Sequence, residues 1–186
     1  MAAEASEIIT RVLNSREARW NEVRTLAKTQ GVRAIVTVSL NIPGPGKNGK
    51  AALYWMAVSE GIRELIDAAK KKGWNTGTTI RNAGPAGSWA AVALVPEIGA
   101  APLPEIKKAA EGIELNHPLG RALDLDVIDS LNDCTPLERV RKRPCIICGG
   151  ETPAFVCARE KRHDWSDVLE RMDSLIVAHF EKKMRV

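Results

Sequence analysis

The sequence predicts an α+β fold: a mixed four-stranded sheet of βαββαβ order with N- and C-terminal helices. Three observations carry this expectation. Apolar residues fall at every second position over 32–42 and again over 123–127, the period of a half-buried strand. Tyr54, Val58, Ile62, Leu65, Ile66 and Ala69 recur at helical spacing between them. Two β-prone runs, Thr76 to Ala83 and Ser88 to Val95, are separated only by Gly84, Pro85, Ala86 and Gly87, which is a hairpin signature. A length of 186 residues suits one domain, organised as N-terminal helices (1–31), sheet core (32–130) and a Cys-containing segment with a C-terminal helix (131–186).

Taken in order, Ile8, Ile9, Val12 and Leu13 predict a short amphipathic helix over 5–13. Asn14 and Glu17 form an N-x-x-E capping pattern that opens a second helix, running to about Gln30 and stopped by Gly31. Arg16 and Arg19 lie near its start, where positive charge opposes the helix dipole; they read either as a solvated face or as an anion site. The strand from Val32 to Ile42 puts Val32, Ala34, Val36, Val38, Leu40 and Ile42 on one face. It empties into a loop of Pro43, Gly44, Pro45, Gly46 and Lys47 before the next helix. A Lys-bearing Gly loop at a helix start suits an anion, or else makes a rigid turn with an exposed Lys. It is not a Walker loop, because Asn48 follows Lys47 and two prolines remove backbone donors. Gly73 ends that helix, the hairpin follows, and Pro104 opens a short helix over 104–111. This order, with helices on one face, is that of ferredoxin-like and polymerase-palm arrangements.

The last strand carries the chemistry. In His117-Pro-Leu-Gly-Arg-Ala-Leu-Asp-Leu-Asp-Val-Ile-Asp129, Leu123, Leu125 and Val127 share one side, and Asp124 and Asp126 share the other. At a rise of ~3.3 Å per residue the two carboxylates lie close enough to hold a divalent cation. Gly120 allows close backbone approach and Arg121 presents a fork of donors suited to phosphate oxygens. Together these suggest phosphoryl or nucleotidyl transfer with Mg²⁺; a solvated edge strand is the alternative.

Beyond Asp129 comes a basic run, Arg139, Arg141, Lys142 and Arg143, then Cys145-Ile-Ile-Cys148-Gly149, with Cys157 and His163 available to complete a four-ligand zinc set. The alternative is buried reduced thiols, with Arg159 and His163 on one helical face meeting an anion. Cys134 has no evident partner. A closing helix from about Asp164 is patterned by Trp165, Val168, Leu169, Met172, Leu175, Ile176 and Phe180, with His179 at the surface. Lys plus Arg exceed Asp plus Glu by 27 to 23, and a pI near 9.0 favours an anionic ligand or acidic partner. Aromatics at 4% argue against a base-stacking surface. No apolar run reaches the ~20 residues of a membrane span, and the start lacks the pattern of a secretory leader, so a cytoplasmic protein that binds neither membrane nor nucleic acid is expected.

The combination of Ser15-Arg16-Glu17-x-Arg19, Pro43-Gly44-Pro45-x-Lys47, His117-Pro-Leu-Gly-Arg-x-x-Asp-x-Asp-Val127 and Arg143-x-Cys-x-x-Cys with Cys157-Ala-Arg159 and His163 resembles the apo-citrate lyase phosphoribosyl-dephospho-CoA transferase family, also called holo-citrate lyase synthase. Pro144 and a long interval between Cys148 and Cys157 depart from the family pattern. The resemblance implies transfer of a phosphoribosyl-dephospho-CoA group from triphosphoribosyl-dephospho-CoA to a serine of the citrate lyase acyl carrier subunit, releasing pyrophosphate. It further implies that Asp124 and Asp126 hold Mg²⁺ and act with Arg121 in catalysis. Lys47, Arg16, Arg19, His117, Gly120, Arg143, Arg159 and His163 would then bind substrate. Two rivals stand beside it: a holo-carrier synthase serving another lyase or decarboxylase, and a zinc-containing nucleic-acid-binding module, which leaves the paired carboxylates unexplained.

Overall fold

The computed structural model describes residues 2–42, 50–149 and 152–185. Helix α1 (Ala2–Ala27) precedes strand β1 (Ala34–Leu40), helix α2 (Ala51–Lys70), the hairpin of β2 (Trp74–Gly84) and β3 (Gly87–Pro96), helix α3 (Leu103–Asn116) and strand β4 (Leu123–Asp129). A two-residue strand β5 (Thr135–Pro136), helix α4 (Ala154–Arg159) and helix α5 (Trp165–Met184) complete the order.

The strands form one sheet in the order β2-β3-β1-β4-β5, and every pairing is antiparallel. This corrects the expectation of a mixed sheet of four strands. Alternation along each strand fixes burial but carries no information about the direction of its neighbour. A fifth strand of two residues is also too short to show a period.

One face of the sheet holds the larger core. Ala34, Val36, Val38 and Leu40 of β1 and Leu123, Leu125 and Val127 of β4 meet Tyr54, Val58, Ile62 and Leu65 of α2, Ile106 and Ala110 of α3, and Met172 and Ile176 of α5. Burying a side chain such as Leu125 completely contributes about 1.5–3 kcal/mol, so this layer dominates stability. Helix α2 lies close because Gly61 faces the sheet: a Cβ there would sit 3.0 Å from both Val38 and Leu123. The opposite face carries a second layer, in which Val23 and Leu26 of α1 cover Ile35, Trp89, Ala91, Ala93 and Ile128. Helices therefore lie on both faces, not one. Val32 belongs to this second layer because regular pairing begins only at Ala34.

The N-terminus forms a single helix where a break at Asn14 is expected. Asn and Ser cost up to ~0.7 kcal/mol each relative to Ala in a helix interior, too little to interrupt one whose last turns are anchored by Val23 and Leu26. Along α5, Met172 and Ile176 are fully buried and Val168, Leu169, Leu175 and Phe180 pack at the margin, whereas Trp165 is 54% exposed.

His179, expected at the surface, faces inward. Its Nε2 lies 3.4 Å from Glu60 Oε1, and its ring centroid is 5.3 Å from that of His117. Glu60 is buried and accepts from Arg63 Nη2 at 2.8 Å and Lys183 Nζ at 2.7 Å, joining α2 to the end of α5. The Arg63 hydrogen bond draws its carboxyl down to about 2 against the opposing effect of burial, with Lys183 acting in the same direction as Arg63. A depressed carboxyl stabilises the fold fully above its unfolded value of 4.5, and that contribution disappears as pH falls toward 2. Melting temperatures followed by circular dichroism between about pH 6 and pH 2.5 should therefore fall less steeply in Glu60→Gln than in the native chain, from a lower starting value at pH 6.

Candidate functional site

Strand β4 places Asp124 and Asp126 on the face opposite the larger core, as their parity requires. Beyond them the edge of β4 is uncovered, because β5 pairs only with Ile128 and Asp129. An open edge leaves backbone donors without partners. Here Glu114 of α3 supplies the acceptor, taking the Leu125 amide at 2.6 Å. Its side chain is 4% exposed, and two arginines compensate the charge: Arg139 binds it through both terminal nitrogens, and Arg143 Nη2 reaches it at 2.9 Å.

The same guanidiniums continue to the aspartates. Arg143 Nη2 lies 2.5 Å from Asp124 Oδ1, and Arg139 Nη2 lies 3.3 Å from Asp124 Oδ1 and 3.4 Å from Asp126 Oδ1. Burial and the neighbouring Asp124 raise the Asp126 carboxyl above the ordinary aspartate range, outweighing Arg139, Lys107 and Arg143. Lys107 of α3 is buried, with Nζ 3.8 Å from Asp126 Oδ1 and no hydrogen-bond partner; burial, then the nearby Arg139, lower its ammonium. Glu111 accepts from the amides of Val140 at 2.9 Å and Arg141 at 3.3 Å, which fixes the 139–143 segment along α3.

On the α1 side, Asp126 opens into a recess of about 220 Å³ shared with Arg16, Arg19, Trp20, Thr37 and Trp89. The Arg19 guanidinium lies 5.5 Å from the Trp89 ring centroid and donates to the Gly87 carbonyl. Burial and then Arg16 bring its pKa down to about 10, so it is still a cation at neutral pH. Two arginines held beside a carboxylate and a recess form a surface that attracts a polyanion while offering an acceptor for a proton or a cation.

The remaining expected residues distribute differently. Arg121 donates to the Cys145 carbonyl and lies beside Gly149. A Cβ on Gly120 would come 2.3 Å from the Ile113 carbonyl oxygen, so its missing side chain serves the approach of the turn to α3. His117 accepts the Leu119 amide at Nδ1, 3.1 Å, and braces the turn before β4. Arg159 and His163 do not share a helical face, since α4 ends at Arg159 and α5 begins at Trp165; the Arg159 guanidinium lies over Phe155. Lys47 lies outside the described residues.

Cys145, Cys148, Cys157 and His163 converge, with all four ligand atoms within 4.8 Å of one another. A cavity of about 520 Å³ beside them is lined by Ile42, Ile146, Lys161, Trp165 and Val168 among others. Glu60, His117 and His179 form a second convergent group, but Arg63 and Lys183 already neutralise Glu60 and oppose a cation there. Glu114, Glu111 and Lys107 are the residues that sequence patterning passes over, and Arg139 is named there only as part of a basic run. Lys107, Glu111 and Glu114 stand four and three apart on the buried side of α3, a polar stripe among Ile106, Ala110 and Ile113 that signals compensated charge.

Fold and site together define an antiparallel α+β protein with paired carboxylates on one strand and four arginines arranged around them. A family model described as apo-citrate lyase phosphoribosyl-dephospho-CoA transferase matches residues 7–179. Curated relatives of that description include a protein of Escherichia coli O7:K1, 30% identical over 181 residues (95% of this chain, 92% of the relative). Another, from Citrobacter koseri, is 31% identical over 150 residues (80% and 77%). The chain belongs to the apo-citrate lyase phosphoribosyl-dephospho-CoA transferase family.

Removing one member of a buried ion cluster strands the others, at a cost of roughly 3–5 kcal/mol. Glu114→Ala should lose stability of that order in urea denaturation, and Glu114→Gln, which retains an acceptor for the Leu125 amide, should lose less.

Proposed function

We propose that this chain transfers the phosphoribosyl-dephospho-CoA group from triphosphoribosyl-dephospho-CoA to a serine of the citrate lyase acyl carrier subunit, in the cytoplasm, releasing pyrophosphate. The observation that carries this reading is family membership across residues 7–179, with relatives of that name aligned over nearly the whole chain. The strand order β4-β1-β3-β2 and the placement of α2 and α3 on one core support the ferredoxin-like or palm-like arrangement, in which paired carboxylates on a strand face a phosphate chain.

The serine oxygen attacks the α-phosphorus, the bond from that phosphorus to the bridging oxygen of the β-phosphate breaks, and pyrophosphate leaves. Asp126 accepts the serine proton. Its place at the recess gives it access to an incoming hydroxyl. Arg16 and Arg19 meet the phosphate oxygens from α1, and Arg139 and Arg143 hold Asp124 in place. Arg121 keeps the Cys145 loop beside this cluster.

Mg²⁺ characteristically takes one or two carboxylates and completes its shell with water and substrate phosphates; of the two strand carboxylates Asp126 lines the recess, while Asp124 stands beside it on the same face with Arg139 and Arg143 at Oδ1. Asp124 and Asp126 would hold it, and it would supply charge neutralisation at the phosphate oxygens.

Asp124→Asn and Asp126→Asn should each lower carrier loading by roughly a hundredfold or more while leaving the circular dichroism spectrum native, because both side chains lie off the core face. The assay is mass spectrometry of the purified citrate lyase carrier subunit after incubation with triphosphoribosyl-dephospho-CoA and Mg²⁺. Near-native loading by both variants would refute the carboxylate assignment, and no loading by the native chain would refute the activity.

The basic run adds a prediction about the carrier. Arg139 and Arg143 turn inward, whereas Arg141 and Lys142 are exposed. If the carrier is acidic, exposed positive charge speeds its encounter, an effect that weakens as salt shortens the ~10 Å screening length of 0.1 M solution. Arg141→Glu combined with Lys142→Glu should raise the KM for the carrier several-fold and blunt its salt dependence, with the KM for the small donor unchanged in steady-state kinetics.

A further inference from the structure

Three segments of chain meet at the Cys145 loop: the loop itself, Cys157 in the second turn of α4, and His163 between α4 and α5. Cys148 Sγ lies 3.7 Å from Cys157 Sγ and 3.0 Å from His163 Nε2. All four cysteines of the chain are free thiols. A tetrahedron of zinc–sulfur bonds of about 2.3 Å sets its sulfurs about 3.8 Å apart, matching the Cys148–Cys157 separation. The loop has the backbone that such a site needs. Gly149 adopts φ 65° and donates its amide to the Cys145 carbonyl at 2.9 Å, folding the loop back on itself. That turn directs the amides of Cys148 and Ile147 at the Cys145 sulfur.

We propose that Cys145, Cys148, Cys157 and His163 bind one zinc ion in a closed structural site that locks the basic segment onto the paired carboxylates. Four protein ligands leave no open position for substrate, which distinguishes a structural site from a catalytic one. The load it carries is legible in the hydrogen bonds around it. Cys145 donates its amide to Thr152 at 2.9 Å, and Ala154 donates to the Arg143 carbonyl at 2.8 Å. Arg121 reaches the Cys145 carbonyl. Segment 143–145 is thus stitched to the start of α4, and Arg143 bonds Asp124 and Glu114 from there. Without the ion, Cys145 and Cys157 sit buried in a region with little apolar packing of its own, since Ile146 is the one residue of 139–163 in the larger core among those described. A zinc cross-link replaces the missing core, as it does in small metal-dependent modules.

The test reads metal and stability and is independent of activity. Protein purified without chelator should contain about one zinc per chain by elemental analysis. A strong chelator should lower the melting temperature and increase proteolytic nicking within 139–163, and added zinc chloride should reverse both. Cobalt substitution should give the thiolate charge-transfer and tetrahedral absorption bands expected of a Cys₃His set. Cys148→Ser and His163→Ala should weaken zinc retention at least tenfold, while Cys134→Ser, whose thiol lies in the other core layer, should leave it unchanged. Where a ligand variant fails to fold, the cobalt spectrum of the native chain decides. Metal-free native protein whose melting temperature ignores zinc, an octahedral cobalt spectrum, or a Cys148–Cys157 disulfide in place of metal would each overturn the proposal.

Discussion

The carboxylate of Glu114 is the interaction on which the rest of the site depends. It is buried against the uncovered edge of β4, where a backbone amide lacks a partner strand, and its negative charge demands compensation in a medium that solvates it poorly. Two arginines answer that demand and have donor capacity left over. A guanidinium carries five N–H groups in a fixed plane, so Arg139 and Arg143 extend from Glu114 to Asp124, and Arg139 reaches Asp126 as well. Asp124 and Asp126 are held by groups whose first partner stabilises a sheet edge. Edge protection and the positioning of the paired aspartates are one network, which is why β4 can lie beside the shortest strand of the sheet.

The sheet keeps these charges apart from the core that pays for the fold. On one side β1 and β4 present only apolar residues to α2, α3 and α5. On the other, α1 covers the sheet partially, leaving a recess where Asp126, Arg16 and Arg19 face one another. Incomplete coverage by a single helix allows an ionised pair to remain solvated at one end of a strand whose alternate residues are fully buried. The outer half of α1, with Ile8, Ile9 and Leu13 more than half exposed, continues past that recess.

Some of this was legible residue by residue. The alternation of Leu123, Leu125 and Val127 against Asp124 and Asp126 placed the carboxylates on the face they occupy, and the Gly84–Gly87 spacing located the hairpin. The Cys-x-x-Cys pair with a later Cys and His gave the four residues that converge. Other readings failed for physical reasons. Asn14 carries a capping signature, but a cap forms only where the preceding chain leaves the helix, and nothing forces it to leave. His179 was placed at the surface for want of a partner nearby in sequence; it lies on the face of Met172 and Ile176, and the group it meets, Glu60, stands 119 positions earlier in the chain. Arg139 was grouped with Arg141, Lys142 and Arg143 as one basic run, because adjacent charges look alike until the chain turns 139 and 143 inward and 141 outward.

By itself, the sequence determined the four longer strands, the helices between them and the closing helix, the apolar face of β4, and which chemical groups are available, because periodicity and side-chain chemistry are local properties. Tertiary structure alone decided the antiparallel pairing, the fifth strand, the second layer beneath α1, and the pairing of each charge with its partner. Those outcomes depend on contacts such as Glu114 with Arg139, or Cys148 with His163, that join residues remote along the chain and are chosen by the need to leave no buried charge or donor unmatched.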